Sequence, residues 1–197
     1  MMARRSILFL DVALKVFLVA LLLHAVANPD LPQYSGKAMF GRALAFPIAA
    51  LLVPVGWWLG FRGRPFPAVV DLLFTAPFLI DVLGNSLNLY DSIAWWDDAN
   101  HFFNWMLVTA AAALVIRSTG LRRVHSFGLA VGFAAVTALA WELAEYVTFI
   151  RFSSELSTAY TDTLGDLTLG TLGGALGAAI VGLMQQRPTG GRGPGSS

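Results

Sequence analysis

The stretch DTLGDLTLGTLGGALGAAIVGLM, residues 162–184, decides the fold of this chain. A helix that crosses the hydrocarbon core of a bilayer needs roughly 20 mostly apolar residues, and this stretch is long enough. It also carries two carboxylates, Asp162 and Asp166, near its start. Charged side chains inside a membrane are costly and usually face a bundle interior or a wet cavity. The stretch therefore predicts a transmembrane helix with a polar site beside it.

Five other stretches have the same apolar character, and together they set the fold class. They cover residues 6–27, 38–61, 66–87, 100–116 and 125–152. Their Leu, Ala and Val runs lack the short alternation of a membrane β-barrel. We predict an all-α membrane protein, a six-transmembrane-helix bundle that forms one polytopic domain over residues 1–184. Residues 185–197, rich in Gly, Pro, Arg and Ser, are expected to form a disordered cytoplasmic tail.

The composition excludes several classes of protein. Hydrophobic residues make up 56% of the 197 residues and charged residues only 13%, whereas a soluble domain carries about 25% charged residues. The 13 Lys and Arg nearly balance the 12 Asp and Glu, so no nucleic-acid partner is expected. Cysteine is absent, which excludes disulfides, thiolate metal sites and cysteine nucleophiles.

Basic residues predict the orientation in the membrane, because Lys and Arg concentrate in cytoplasmic loops. The N-terminus, the C-terminal tail and two alternate connections hold Arg4, Arg5, Arg62, Arg64, Arg117, Arg122, Arg123, Arg187 and Arg192. The other connections and their flanks hold Lys37, Arg42 and Arg151. Both termini are therefore expected in the cytoplasm, with three short loops outside.

The first apolar stretch has two interpretations. It ends in Ala25-Val26-Ala27, which is similar to the cleavage site of a signal peptide. Asp11 and Lys15 interrupt it four residues apart, a spacing that lets the two charges neutralise each other on one helix face. This interruption favours an uncleaved first helix.

The acidic residues gather on the predicted outer side in greater number than topology requires. Glu142 and Glu145 lie three residues apart, and Asp162 and Asp166 four apart, so each pair shares one helix face. Asp97 and Asp98 precede His101 by four and three residues, and they share its face if the fourth helix begins near Trp96. Several spans thus bring carboxylates to one level of the membrane.

One imidazole among several carboxylates, with no thiolate, is a hard ligand set. It suits Mg, Mn or non-haem Fe, with Zn as a further choice. The candidate metal ligands are Asp98, His101, Glu142, Glu145, Asp162 and Asp166, and the candidate catalytic groups are Glu142, Glu145 and Asp166. Structural roles stay open for Asp97, Asp98 and Asp162, because acids in a first helical turn complement the helix dipole.

Three motifs in the second half of the chain resemble a known family. They are DANHFF at 98–103, WELAEY at 141–146, and DTLGDL at 162–167 followed by LGGALG at 172–177. In this order they resemble the YjdF-like family of small bacterial inner-membrane proteins, with a fainter likeness to VanZ-like proteins. The resemblance implies that Asp98, His101, Glu142, Glu145, Asp162 and Asp166 form one constellation, and it implies no activity. Asp97 is an acid beyond the family pattern.

Three functions fit these residues. The leading hypothesis is a metal-assisted enzyme that acts on a lipid or envelope precursor, since a bound cation polarises phosphoryl or carbonyl oxygens or activates water. The same acids without metal would suit a small proton- or cation-linked transporter. The third hypothesis is a non-catalytic membrane factor whose Gly-rich sixth helix pairs with a partner or forms an oligomer. The sequence alone does not separate the first two.

Overall fold

The structure, a computed structural model, describes residues 2–148 and 150–184, and these residues are helical with short connections. The α-helices are α1 (Met2–Ala27), α2 (Met39–Ala50), α3 (Leu52–Gly56), α4 (Ala68–Ser86), α5 (Leu89–Ser92), α6 (Trp96–Arg117), α7 (Arg123–Thr148) and α8 (Ala159–Leu183). A π-helical turn covers Trp57–Phe61, and 3₁₀ turns cover Ile150–Phe152 and Ser154–Ser157. No strand occurs in the two described ranges. The tail 185–197, predicted to be disordered, lies outside the described residues.

The predicted six-helix membrane architecture is confirmed. Six helical segments are long and apolar enough to span a membrane: Arg4–Ala27, Met39–Phe61, Ala68–Ser86, Trp96–Arg117, Arg123–Phe152 and Ala159–Leu183. The fourth begins at Trp96, earlier than the predicted residue 100, because its polar first turn continues the helix. Asp97 therefore lies one helical turn before His101.

Prolines interrupt regular hydrogen bonding in two of the spans, because proline has no N–H to donate and its ring clashes with the preceding turn. In the second span, α2 contains Pro47 and α3 contains Pro54, and the segment closes with the π-helical turn. In the third, Pro77 lies inside α4 and is buried. Pro77 also lines the cavity described below.

The bundle has two halves that meet along α4 and α6. The first half, α1, α2 and α4, buries a cluster made of Leu18, Leu22, Phe46 and Val82. The second half, α6, α7 and α8, buries a cluster dominated by small residues, namely Ala113, Ala130, Ala178 and Val181. The second half can therefore pack its helices more closely than the first.

Glycines on α8 permit this close packing. A Cβ atom added at Gly173 would lie 2.0 Å from the carbonyl oxygen of Phe102, and one at Gly177 would lie 2.2 Å from that of Met106. A Cβ atom at Gly174 would lie 2.3 Å from the Cβ atom of Ala134 on α7. The spacing of these glycines is the small-xxx-small pattern of membrane helix interfaces. This glycine face is covered by α6 and α7 of the same chain, so it is not an open surface for a partner helix.

A buried ion triad joins α1 to α4 near the predicted cytoplasmic side. Lys15 Nζ lies 2.7 Å from Asp11 Oδ1 and 2.7 Å from Asp71 Oδ2. The predicted Asp11–Lys15 pair is therefore present, and Asp71 adds a second carboxylate. Asp11 and Asp71 are 2% and 0% exposed, so the lysine offsets charges that are shielded from solvent.

Candidate metal centre

The α6 helix presents a polar stripe made of Asp97, Asn100, His101 and Asn104. These positions follow the i, i+3, i+4, i+7 spacing that places side chains on one helix face. Asn100 and His101 are buried although they lie in a membrane-spanning segment. The buried side of α6 is therefore strongly polar at its start, whereas most of its buried residues beyond Asn104 are apolar.

His101 lies at the centre of the stripe with carboxylates on both edges of its ring. Its Nε2 atom lies 3.6 Å from Asp166 Oδ1 and 3.7 Å from Asp97 Oδ1. Its Nδ1 atom lies 3.7 Å from Glu142 Oε1. The residue is 7% exposed, and Nδ1 is buried without a hydrogen-bond partner among the described residues. A buried polar atom of this kind calls for a physical explanation, because leaving it unpaired costs free energy.

These distances are too long for direct hydrogen bonds, which join nitrogen and oxygen at about 2.7–3.2 Å. They are ion-pair distances. Nitrogen and oxygen ligands lie about 2.1 Å from a tetrahedral Zn²⁺, so two such ligands are about 3.4 Å from each other. The spacing around His101 therefore leaves room for a shared cation.

Two overlapping sets of side chains have the spacing of a metal site. Asp97, His101 and Asp166 form one set, and His101, Glu142 and Glu145 form the other. Within each set the ligand atoms lie within 4.8 Å of one another. The sets use different edges of the same ring, since Asp97 and Asp166 face Nε2 and Glu142 faces Nδ1.

An arginine, Arg42, lies beside two of the acids near His101. Arg42 on α2 donates through Nε to Asp81 Oδ2 at 2.9 Å, and its Nη2 lies 3.8 Å from Glu145 Oε1. The Tyr90 hydroxyl donates to the other oxygen of Asp81 at 2.9 Å. Burial raises the pKa of the Tyr90 phenol, so it stays protonated and remains a donor. Asp81 therefore has two donors, and Arg42 also borders Glu145.

A cavity of about 250 Å³ lies between α2, α4, α6 and α7 beside these residues. Its polar lining consists mainly of Arg42, Asp81, Tyr90, Asp97, Asn100, His101, Asn104 and Glu145. Its apolar lining is Phe46, Phe74, Pro77, Phe78, Trp105, Val108, Phe133 and Trp141, with Thr137 beside them. An apolar pocket with a few converging polar groups is the usual form of a small-molecule site.

The structure brings together four of the six side chains predicted as metal ligands. His101, Glu142, Glu145 and Asp166 belong to the two sets. Asp98 and Asp162 are exposed and belong to neither set. Asp97, the acid beyond the family pattern, is the one that faces His101, because it precedes His101 by four residues in the helix that begins at Trp96.

Sequence reasoning did not assign Tyr90, Asn100 or Asn104 to the site. A signal for the two asparagines is present, because they continue the stripe of Asp97 and His101 into an apolar helix. Tyr90 lies in the short helix α5 between two spans, and its contact with Asp81 depends on the path of that connection. Arg42, which the sequence places with the outer connections and their flanks, contacts two of the acids, Asp81 and Glu145.

The comparisons with known proteins give the family and no more. No curated protein and no solved structure matches the chain at a significant level. A family model described as "Predicted membrane protein (DUF2238)" matches residues 9–187, which include most of the first span, the other five spans and every residue of the candidate centre. The description assigns no activity. The chain is therefore a multi-pass membrane protein and belongs to this family of predicted membrane proteins.

Proposed function

We propose that this protein is a metal-assisted enzyme of the bacterial cytoplasmic membrane, acting on a lipid or envelope precursor. One observation carries the proposal. His101 is a buried imidazole, 7% exposed, with carboxylates 3.6–3.7 Å from both of its ring nitrogens. Charge repulsion disfavours such a group of acids in a membrane unless a cation offsets it.

The ion fits best on the Nε2 side of His101, with Asp97 and Asp166 as the other protein ligands. Glu145, in the set on the Nδ1 side, already borders the positive charge of Arg42 at 3.8 Å. The Asp97 side chain is 47% exposed, which gives an ion a route from the aqueous side. The Nδ1–H group would then point to Glu142, which is the carboxylate–histidine–metal arrangement seen in many metal sites.

The remaining groups have roles in handling substrate and protons. A divalent ion at this place would polarise a phosphoryl or carbonyl oxygen, or lower the pKa of a water. Glu145 lines the cavity beside His101, where a carboxylate can accept or return a proton. Arg42 donates to Asp81 from the same wall, which fixes its guanidinium near the polar end.

The orientation of the chain and its location in the bacterial inner membrane are part of the same proposal. With both termini in the cytoplasm, the candidate centre lies near the outer face of the membrane. The resemblance of DANHFF, WELAEY and DTLGDL to YjdF-like proteins supports the bacterial inner membrane as the location. The expected cytoplasmic tail at 185–197 follows from the same orientation.

A transporter has less support because the cavity wall between the centre and the buried triad on the other side is apolar. Asp71 and Asp81 lie ten positions apart along α4, about 15 Å at 1.5 Å per residue. In this interval Phe74, Pro77 and Phe78 line the cavity. No specific observation therefore favours a proton or cation path through the bundle.

Metal analysis of protein purified in mild detergent tests the proposal. We expect about one divalent ion per chain in the wild type, and its loss in Asp97→Asn and Asp166→Asn. The neighbouring acids supply matched controls, so Asp98→Asn and Asp162→Asn are expected to keep the ion. A wild-type protein without metal after metal-supplemented purification would overturn the proposal, and equal losses in the four variants would overturn the ligand assignment.

The enzymatic part of the proposal needs its own measurement. Wild-type protein is incubated with envelope lipids and Mg²⁺, Mn²⁺, Fe²⁺ or Zn²⁺, and the lipids are analysed by mass spectrometry. We expect a product that is absent with Asp166→Asn and present with Asp162→Asn. If the protein binds metal but converts no lipid, it is a metal-binding membrane protein and the enzymatic role is overturned.

A further inference from the structure

The cavity between α2, α4, α6 and α7 has a polar end and an apolar end. On α6 the polar lining residues run from Asp97 to Asn104, and the lining residues beyond them are Trp105 and Val108. On α7 Glu145 lines the polar end, and the lining of this helix ends at Phe133. The two helices are consecutive spans, yet they agree on which end of the cavity is apolar.

The depth of the cavity is similar to that of one leaflet of a bilayer. On α4 its lining residues extend from Asp81 inward to Phe74, and on α7 from Glu145 inward to Phe133. At 1.5 Å per residue these stretches cover roughly 10 Å and 18 Å, and half of a hydrocarbon core is about 15 Å. In the described parts of both helices no lining residue lies further inward. The cavity therefore ends beside Phe74 and Phe133.

Four aromatic rings from α7, α2 and α4 form a continuous wall along the cavity, which we call the aromatic wall. The ring centroids of Trp141 and Phe46 lie 6.1 Å apart, and those of Phe46 and Phe78 lie 5.0 Å apart. Phe74 continues the row, with its ring centroid 5.8 Å from that of Phe78. All four residues line the cavity, so one side of it is a surface of packed rings.

The polar side chain that lines the inner part of α7 does not call for a polar ligand. The Thr137 hydroxyl donates to the carbonyl oxygen of Phe133 at 2.6 Å, so its hydrogen is used within its own helix. A polar molecule in this part of the cavity would lose hydrogen bonds to water and gain few in return. A hydrocarbon has no such bonds to lose, so the apolar end favours a hydrocarbon group.

The volume of the cavity limits the size of that group. The volume is about 250 Å³, which is below the roughly 300–1,000 Å³ of pockets that enclose a drug-sized molecule. A cavity that is as deep as a leaflet and has so small a volume is narrow. It therefore has room for one hydrocarbon chain and not for the two chains of a diacyl lipid.

Trp105 lies between the polar end and the apolar end, and its indole packs against α8. A Cβ atom added at Gly170 would lie 2.6 Å from Cδ1 of Trp105 and 3.1 Å from its Nε1. Glycine at position 170 therefore allows the indole to lie this close to the α8 backbone. Trp105 also lines the cavity, so a larger residue at position 170 would push its ring away from α8 and narrow the cavity.

We propose that the cavity binds one hydrocarbon chain of the lipid substrate, with the polar group of that lipid at the His101 end. The chain lies along the aromatic wall and passes Trp105, and it ends beside Phe74, Val108 and Phe133. This inference rests on the proposed metal-assisted function and names its substrate class as lipids that are selected by chain length. Val108 and Phe133 determine the accepted length, because they line the inner end.

A mixture of lipids that differ only in chain length tests the inference in the full-length protein. The wild type is purified in a steroid-based detergent, which has no linear chain, and is incubated with equimolar lysophosphatidylcholines from octanoyl to stearoyl. Native mass spectrometry then identifies the retained lipids. We expect a single retained lipid per protein, with a severalfold preference for one chain length over shorter and longer ones. No retention, or retention that does not depend on chain length, would overturn the inference.

Substitutions at the inner end test where the chain ends. Val108→Trp fills the last turn of the cavity on α6, whereas Val115→Trp adds the same ring at an exposed position of that helix. Since one helical turn is about 5.4 Å long, Val108→Trp should make the preferred chain several carbons shorter, and Val115→Trp should leave it unchanged. Phe133→Ala enlarges the same end and should make the preferred chain longer. An unchanged preference in Phe133→Ala, or in a folded Val108→Trp, would overturn the inference.

A substitution on α8 tests the role of Trp105 without changing any residue that lines the cavity. Gly170→Ala should push the indole into the path of the chain, so we expect the retained lipid to fall severalfold. Gly182→Ala is the matched control on the same helix, because a Cβ atom there meets no neighbouring atom of the described residues within 4 Å. Equal retention in the two variants would overturn the proposed path of the chain past Trp105.

Metal content measured on the same wild-type samples separates this inference from the proposed function. A protein that binds metal and prefers one chain length supports both. A protein that binds metal but shows no preference for chain length overturns only the inference about the chain. A protein that prefers one chain length but binds no metal overturns the metal-assisted function, and the cavity is then a lipid site alone.

Discussion

The chain buries two clusters of charge, and they differ in how completely the charges are paired. In the triad, one lysine nitrogen lies 2.7 Å from a carboxylate oxygen of Asp11 and 2.7 Å from one of Asp71. Around His101, the distances to three carboxylates are 3.6–3.7 Å. The triad is closed by direct contacts, whereas the three acids around His101 lie beyond hydrogen-bond distance of its ring nitrogens.

This difference separates a structural cluster from a candidate functional one. The triad bonds α1 to α4 and lines no part of the cavity. The centre combines side chains of α6, α7 and α8 and borders the cavity through His101 and Glu145. A buried charge alone is therefore a weak sign of function. Several buried ionisable groups that converge beside a cavity are a stronger one.

The largest effect is expected from breaking the triad. Lys15→Met leaves Asp11 and Asp71 buried without a cation, and loss of one partner from a buried ion pair costs about 3–5 kcal/mol. We expect a loss of stability of that size in thermal or denaturant unfolding in detergent. Adding Asp11→Asn and Asp71→Asn to Lys15→Met is expected to restore most of it. A Lys15→Met protein as stable as the wild type would remove the structural role from the triad.

Metal removal is expected to cause the next largest loss of stability. The loss should occur only in proteins whose centre still binds the ion. Binding to the native state at 100 times the Kd stabilises by about 2.7 kcal/mol, so chelation should lower the stability of the wild type by about that amount. Asp166→Asn, already lacking the ion, should not respond to the chelator. The Lys15→Met protein should respond as the wild type does, because the triad binds no ion.

Removing one acid from the centre is expected to raise slightly the stability of the metal-free protein, whereas the two changes above lower stability. Glu142→Gln takes away a charge that repels its acidic neighbours, so the stability without metal should rise by up to about 1 kcal/mol. The same variant should bind metal 10–100-fold more weakly, as found when a carboxylate that orients a metal-bound histidine is removed. Titration with metal after chelation measures both effects, and unchanged affinity would exclude Glu142 from that role.

The smallest effect is expected at an exposed pair. Lys37 Nζ lies 2.7 Å from Asp91 Oδ1, as short as the contacts of the triad, but the Asp91 side chain is 46% exposed. Exposed pairs contribute about 0–1 kcal/mol, so Lys37→Ala should change the stability by less than that. A loss of stability comparable to that of Lys15→Met would show that the contribution of an ion pair depends on its distance and not on its burial.

The helical architecture could be predicted from the sequence because hydrophobic length is a local property. Each span is a run of apolar residues, and its length alone decides whether it crosses the core. The spacing of glycines such as Gly173 and Gly177 predicted a helix face for close packing. The prediction did not give the partner of each glycine face, because that depends on how the whole bundle packs.

The candidate centre was only partly predictable, for a physical reason. Helical spacing shows which side chains share a face, so Glu142 with Glu145 was found. The choice between Asp97 and Asp98 depends on the rotation of α6 about its axis, and residues on α4, α7 and α8 set that rotation. Asp162 shares a face with Asp166, but it lies one turn closer to the helix end and is exposed. The position of a residue along its helix therefore decides whether it reaches the centre, as much as the helix face on which it lies.

The close contact of α8 with α6 also has a consequence for biosynthesis. The ribosome releases the chain from its N-terminus, and α8 follows every other described helix. Until α8 inserts, His101 lacks Asp166, and the backbone at Phe102 lacks the glycine surface that covers it. The last described helix to enter the membrane is thus the one that brings Asp166 to His101. A chain truncated ahead of α8 would have Asp97 but not Asp166 beside His101 Nε2.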